Sequence, residues 1–176
     1  MPAASLKHIQ TVTLASPAST VTFTNIPQTY NDLVVFQNIR LTGDSHFYAT
    51  WFNGTDNNPP PTSTQYQWVY LWSWDTGSYC YFANNYDRFQ QLGNTYNSYG
   101  ANTFNFGQFY VQNYSSSTLK KSVWSDSAEV NTTNAPPYGI HGGYWDNTSA
   151  ITSMTFRELH GNVTYAAGST FRLYGV

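Results

Sequence analysis

Three adjacent residues, Asp44, Ser45 and His46, carry the side-chain types of a serine hydrolase: an acid, a nucleophile and a base. A catalytic triad is defined by its geometry in space, and adjacent residues on one turn rarely reach that geometry. The sequence also has no Gly-x-Ser-x-Gly motif, which sets the nucleophile on a sharp turn in many hydrolases. We therefore interpret residues 44–46 as a polar hairpin turn.

Paired acids and clustered metal ligands are the other chemistry that the sequence could hold. Glycoside hydrolysis needs two carboxyl groups across a cleft, whereas the seven Asp residues mostly follow turn-forming sequence, where Asp is locally favoured. The four histidines, His8, His46, His141 and His160, lack the spacing of a zinc motif, and we expect each at the surface or in an interface. The sequence thus predicts no catalytic residue, no metal site, no cofactor and no enzymatic activity.

Aromatic residues form the most informative cluster. Because side chains alternate along a strand, one face of the segment 67–74 would carry four large rings and the other face Gln67, Val69, Leu71 and Ser73. The four rings that we take as the candidate binding or oligomer-interface residues are Trp68, Tyr70, Trp72 and Trp74. Flat amphipathic rings suit a core, a subunit interface or a saccharide platform, so the sequence leaves these three uses open. The single cysteine, Cys80, is expected on a neighbouring strand in a core or an interface.

Composition excludes several classes of protein. Charged residues make up 9% of the 176 residues and aromatic residues 18%, which favours strands over helices. A net charge of −2 provides no basic surface for nucleic acid. No segment reaches the ~18 apolar residues of a membrane span, and the first residues lack the apolar core of a secretory signal. We expect a soluble protein, made in a cytoplasm, that binds neither nucleic acid nor membrane.

Short alternating segments separated by turn residues predict about ten strands. The segment from Asp32 to Leu41 is apolar enough for a central strand, and Asn53-Gly54 is a strong turn signal. Residues 84–100 are too rich in turn formers to assign. The pattern predicts one antiparallel β-sandwich domain over residues 1–176.

Several phrases, in this order, resemble a family of small jelly-roll-like β-domains of tailed-bacteriophage virions. These phrases are Val21-x-Phe23-Thr24-Asn25-Ile26-Pro27-x-x-Tyr30-x-Asp32-Leu33-Val34-Val35, then Phe52-Asn53-Gly54, Tyr110-Val111-x-Asn113-Tyr114, Ala150-Ile151-Thr152-Ser153-Met154-Thr155-Phe156 and the closing Ser169–Val176. The family includes capsid decoration (cement) proteins and modules of tail appendages. The resemblance implies a jelly-roll-like sandwich that forms a homotrimer on the phage particle, without catalytic residues.

A capsid decoration protein is the leading functional expectation from this resemblance. Its partners would be the major capsid protein and its own copies, on the outer surface of the head. The alternative is a tail-appendage or receptor-binding protein that recognises a host surface glycan, for which an exposed aromatic platform would be the relevant feature.

Overall fold

The fold is built from short antiparallel strands. The computed structural model describes residues 5–43, 45–54, 65–74, 77–95, 103–128, 138–159 and 163–176. The strands in these ranges are β1 (Lys7–Thr13), β2 (Thr20–Phe23), β3 (Leu33–Ile39), β4 (Ser45–Phe52), β5 (Tyr66–Trp74), β6 (Gly77–Tyr86), β7 (Phe89–Thr95), β8 (Asn105–Val111), β9 (Lys121–Ala128), β10 (Tyr138–Trp145), β11 (Met154–Glu158) and β12 (Thr170–Gly175). The prediction of an all-β antiparallel chain is confirmed.

The strands form two sheets of unequal width. The larger sheet has eight strands in the order β1-β12-β3-β8-β9-β10-β5-β6, and the smaller has four in the order β2-β11-β4-β7. The smaller sheet covers one face of the larger, and its edge strand β7 packs against β8, β9, β10 and β5. We call the covered face of the larger sheet its inner face and the opposite face its outer face.

Two sequence predictions about individual elements are confirmed, and one unassigned region is resolved. Strand β3 lies between β12 and β8, as expected for a central strand. Asn53 adopts a left-handed φ of 53° directly after β4, and its side chain accepts the amide of Thr152 at 2.8 Å. Strand β7 falls within residues 84–100, where Gln, Gly and Asn made the sequence pattern resemble a loop, and its Phe89 is buried in the core.

Aromatic rings fill the space between the sheets. Phe109 of β8 is fully buried and meets Phe52, Phe89 and Phe156 of the smaller sheet, with ring centroids 5.5 to 6.1 Å apart. The Phe89 and Phe156 rings meet it edge-on, which is a favoured arrangement for aromatic quadrupoles. Rings from β4, β7 and β11 thus converge on one side chain, and this convergence sets the position of one sheet over the other.

Lys121 is a buried ammonium in this apolar setting. Its Nζ donates to the carbonyl oxygens of Ser116, Leu119 and Thr148 at 2.7 to 2.8 Å, and it lies 5.8 Å from the centre of the Trp145 ring. The carbonyls belong to the turn before β9 and the loop after β10, so one side chain ties two connections together. A buried lysine would otherwise be unfavourable, and these acceptors offset its desolvation.

His141 of β10 is buried between the sheets, so the expectation of a surface or interface histidine is wrong for this residue. Its Nδ1 donates to the carbonyl oxygen of Gln90 in β7 at 3.0 Å, and its ring lies 5.3 Å from that of Tyr70. Burial lowers the pKa of His141 to about 3, with the Gln90 hydrogen bond opposing that shift. The His141 side chain is therefore neutral in the folded protein at neutral pH.

Replacing Lys121 by Met should lower the free energy of unfolding by about 2–4 kcal/mol, because buried carbonyl oxygens lose a charged donor. The matched control is Lys120→Met, since the neighbouring Lys120 is solvent-exposed and pairs with Asp146 at the surface. Urea titration followed by tryptophan fluorescence measures both variants. Equal midpoints for the two variants would contradict the role assigned to Lys121.

The free energy of unfolding should fall as the pH drops from 6.5 towards 3. In this range the unfolded chain binds a proton at His141, whereas the folded chain does not. The stabilisation from the neutral imidazole is complete above pH 6.5, the ordinary pKa, and is lost towards pH 3. Between pH 7 and pH 5 the expected loss is about 2 kcal/mol. His141→Gln should flatten this dependence, whereas the exposed His8→Gln should retain it, as measured by urea titrations at each pH. A parental dependence that persists in His141→Gln would contradict the assignment.

Candidate functional site

The aromatic candidate residues lie on β5, and the structure describes the side chains of three of them. Trp68 is buried in the core, while Tyr70 and Trp72 are half-buried on the same inner face. The Trp68 and Tyr70 rings stack with 5.7 Å between centroids and 13° between planes. Trp74 is the last residue of β5, and its side chain lies outside the described part of the structure. The rings of β5 thus change from buried at Trp68 to half-buried at Tyr70 and Trp72.

Strand β6 extends this aromatic surface. Tyr81 and Tyr79 lie opposite Tyr70 and Trp72, and their rings are 5.7 and 5.4 Å from those partners. Partial burial raises the pKa of Tyr70. The two β6 tyrosines remain about half exposed, at 53% and 54%, because this end of the hairpin reaches past the core. The inner side of the hairpin therefore combines a core contact with an accessible row of rings.

The outer face of the same strands is also apolar. We define the outer apolar face as the exposed side chains of Val69, Leu71, Phe82, Trp124, Tyr138 and Ile140, which come from β5, β6, β9 and β10. Phe82 and Leu71 are the most open of the six, at 69% and 58% exposed. Cys80 is exposed beside Leu71, so its strand position is confirmed and the core alternative is wrong.

Strand register arranges one row of this face into a projection and a depression. Trp124, Gly142, Val69 and Phe82 are direct neighbours across β9, β10, β5 and β6. Phe82 projects from one end, while a Cβ added at Gly142 would meet no atom within 4 Å. A hollow of about 590 Å³ opens over Gly142, with Val69, Phe82 and Tyr144 among its walls.

Glycine is required at the next position, Gly143, because a side chain there would clash with neighbouring strands. A Cβ at this position would lie 2.1 Å from the carbonyl oxygen of Gln67 and 3.0 Å from the Phe89 ring. The close approach of β10 to β5 and β7 therefore needs glycine at position 143. The glycine at 142 has no such contact, and its effect is on the shape of the outer surface.

The outer apolar face is almost uncharged. Within the rows from β9 to β6 that contain its six members, Asp126 is the charged residue among those the structure describes. Burial raises the pKa of Asp126, and one of its carboxylate oxygens has no hydrogen-bond partner in the described part of the chain. Lys120 lies at the margin of the hollow, paired with Asp146 at 2.6 Å. Such a surface favours an apolar partner over a polyanion or polycation.

The sequence interpretation found the inner rings and assigned no function to the outer face. The signal was present, since Val69 and Leu71 alternate with the rings of β5, and Phe82 follows the two β6 tyrosines by the same alternation. The predicted turn at residues 44–46 is wrong for Ser45 and His46, which begin strand β4, while Asp44 and the side chains of all three lie outside the described residues. The described residues contain no group of three or more His, Cys, Asp and Glu that could hold a metal ion. They include no helix long and apolar enough to cross a membrane.

Comparisons with known proteins add nothing to the sequence resemblance described above. No family model matches the chain. Likewise, no curated protein and no solved structure matches it. The functional argument therefore depends on the geometry of the two faces of the β5–β6 hairpin and on the sequence phrases themselves.

Proposed function

We propose that this chain is a structural protein of a tailed-phage virion, a capsid decoration protein without enzymatic activity. The observation that carries the proposal is the broad, nearly uncharged outer apolar face, which is suited to protein contacts. The ordered sequence phrases resembling virion β-domains support it, as does the antiparallel two-sheet architecture that such domains share. A jelly-roll connection of the strands is part of the same proposal.

The proposed mechanism is stabilisation by linkage. A protein that binds an assembled shell, but not its separated subunits, stabilises the shell by mass action. Repetition of the contact over many equivalent sites makes a modest affinity per site sufficient. A trimer seated where three capsid subunits meet would bridge neighbouring subunits of the major capsid protein on the outer surface of the head.

A tail-appendage protein that binds a host surface glycan is the second candidate. The observation in its favour is the row of half-exposed rings, Tyr79 and Tyr81 beside Trp72 and Tyr70, on the inner side of the hairpin. Flat rings with a polar edge can stack on a sugar and also donate hydrogen bonds to it. This surface is separate from the outer apolar face, so the two candidates can be tested independently.

Location on the particle distinguishes the two candidates. We expect gold-labelled antibody against the protein to decorate the heads of the phage that encodes it, in negative-stain electron microscopy. Heads assembled without the protein should release their genome at a lower temperature than complete heads, and added purified protein should restore the difference. Label confined to the tail, with equal thermal release from both kinds of head, would contradict the decoration role.

Trp72→Ala tests the glycan candidate at a half-buried ring of the row on β5. If the ring serves packing, the variant should melt at a lower temperature than the parent, because it loses the contact with Tyr79. Neither protein should bind polysaccharide from the host surface in a microarray. The opposite result, an unchanged melting temperature with loss of glycan binding that the parent shows, would favour the tail-appendage function.

A further inference from the structure

The projection and the hollow lie on the same row of the outer apolar face, one strand to either side of Val69. Gly142 pairs with Val69 across β10 and β5, and Val69 pairs with Phe82 across β5 and β6. Two strand spacings, roughly 10 Å, therefore separate the backbone at the two positions. Phe82 forms one wall of the hollow and is still 69% exposed, so its ring does not fill the space above Gly142.

The exposed area is close to what a stable protein contact needs. At the ring and aliphatic areas typical of buried side chains, the six members of the outer apolar face expose roughly 600 Å² together. A stable interface buries about 800 Å² on each partner. In a head-to-tail ring each copy makes two such contacts, so residues that flank the face supply the rest of the buried area.

Charge favours a partner like the chain itself. The rows of the face carry the single acid Asp126 and no base among the described residues, so they offer little attraction to a partner of opposite charge. A second copy of the same face is equally apolar. It also carries two complementary features, the projecting ring of Phe82 and the hollow over Gly142.

We propose that the outer apolar face packs against another copy of this chain, with Phe82 of one protomer entering the hollow over Gly142 of its neighbour. The contact itself depends only on the geometry of this face, whereas the number of copies, three, rests on the proposed function. The projection and the hollow are different positions, so the contact can be passed from each copy to the next. Such a head-to-tail contact closes into a ring when the rotation between copies permits it.

Two substitutions test the contact from its two sides. Phe82→Asp removes the projection and places a charge at the contact, while Gly142→Val fills the hollow. Valine suits a strand, and its Cβ meets no atom within 4 Å, so Gly142→Val should fold like the parent by circular dichroism. The control is Leu119→Asp, which adds a charge at an exposed apolar residue outside this face.

Light scattering coupled to size exclusion, at micromolar concentration, is the first measurement. We expect about three times the 19.9 kDa chain mass for the parent and for Leu119→Asp. Phe82→Asp and Gly142→Val should shift towards the mass of one chain. A monomeric parent would overturn the proposal, as would an oligomer that persists in both variants.

A designed disulfide tests whether positions 82 and 142 of different copies meet, by trapping their encounter covalently even though the Phe82 ring is lost. In a Cys80→Ser background, Phe82→Cys and Gly142→Cys introduce two cysteines that are two strands apart within one chain. This separation exceeds the ~7 Å limit between Cα atoms for a disulfide, so an oxidised bond must join two copies. We expect a covalent trimer on a non-reducing gel, and each single-cysteine variant should lack it.

The remaining outcomes separate this contact from the proposed function. A covalent dimer would support the contact and contradict the trimer of the decoration proposal. Absence of any intermolecular bond in the double-cysteine protein, together with an unchanged mass of Phe82→Asp in light scattering, would overturn the contact. A covalent trimer that is found on the phage tail would support the contact while contradicting the decoration role.

Discussion

The aromatic contact between the two sheets is the constraint on which the rest of the structure depends. Phe109 receives rings from β4, β7 and β11 of the smaller sheet, so the centre of the larger sheet is fixed beneath them. The four strands of the smaller sheet cannot cover all eight strands of the larger sheet. With the smaller sheet centred on Phe109 and ending at β7, the β5–β6 hairpin lies at the margin of the sandwich. The accessible ring row on the inner side of the hairpin follows from this offset, whereas the outer apolar face lies on the side of the larger sheet opposite the smaller sheet.

Polar groups in the interior serve the same arrangement. His141 donates a hydrogen bond to a carbonyl oxygen of β7 and so links β10 to the edge strand of the smaller sheet. Lys121 donates hydrogen bonds to carbonyl oxygens of two connections and lies against the Trp145 ring. The phenol of Tyr66 accepts the backbone amide of Phe52 at 2.9 Å, which joins β4 to β5 across the core. Each satisfied contact replaces a hydrogen bond to water at a place where a purely apolar residue would leave a backbone group unpaired. The sheets are thereby held in one relative position.

The surfaces that we propose for contacts with other molecules lie at the margin of the sandwich, on and beside the β5–β6 hairpin. Strand β5 is apolar on both faces, and only the inner face near Trp68 is taken up by the core. The outer face and the ring row near Trp72 are left for contacts with other molecules. Strand pairing already orders the backbone that carries these side chains, which lowers the conformational cost of a contact. The proposed decoration role and the proposed contact between copies both draw on this property.

The sequence by itself determined the all-β class, most strand positions, the turn at Asn53 and the alternation that puts Trp68, Tyr70 and Trp72 on one face. These features are local, since composition, turn chemistry and a period of two residues specify them without reference to distant strands. Only the tertiary structure decided which face of β5 is covered, because both faces are apolar and the choice depends on the side on which the smaller sheet packs. It also decided that His141 is buried and that Gly142 lies open beside Gly143. Those outcomes depend on strands that are distant in the sequence. Strand β7 covers His141, and strand β5 lies beside Gly142 and Gly143, and no local sequence pattern specifies either approach.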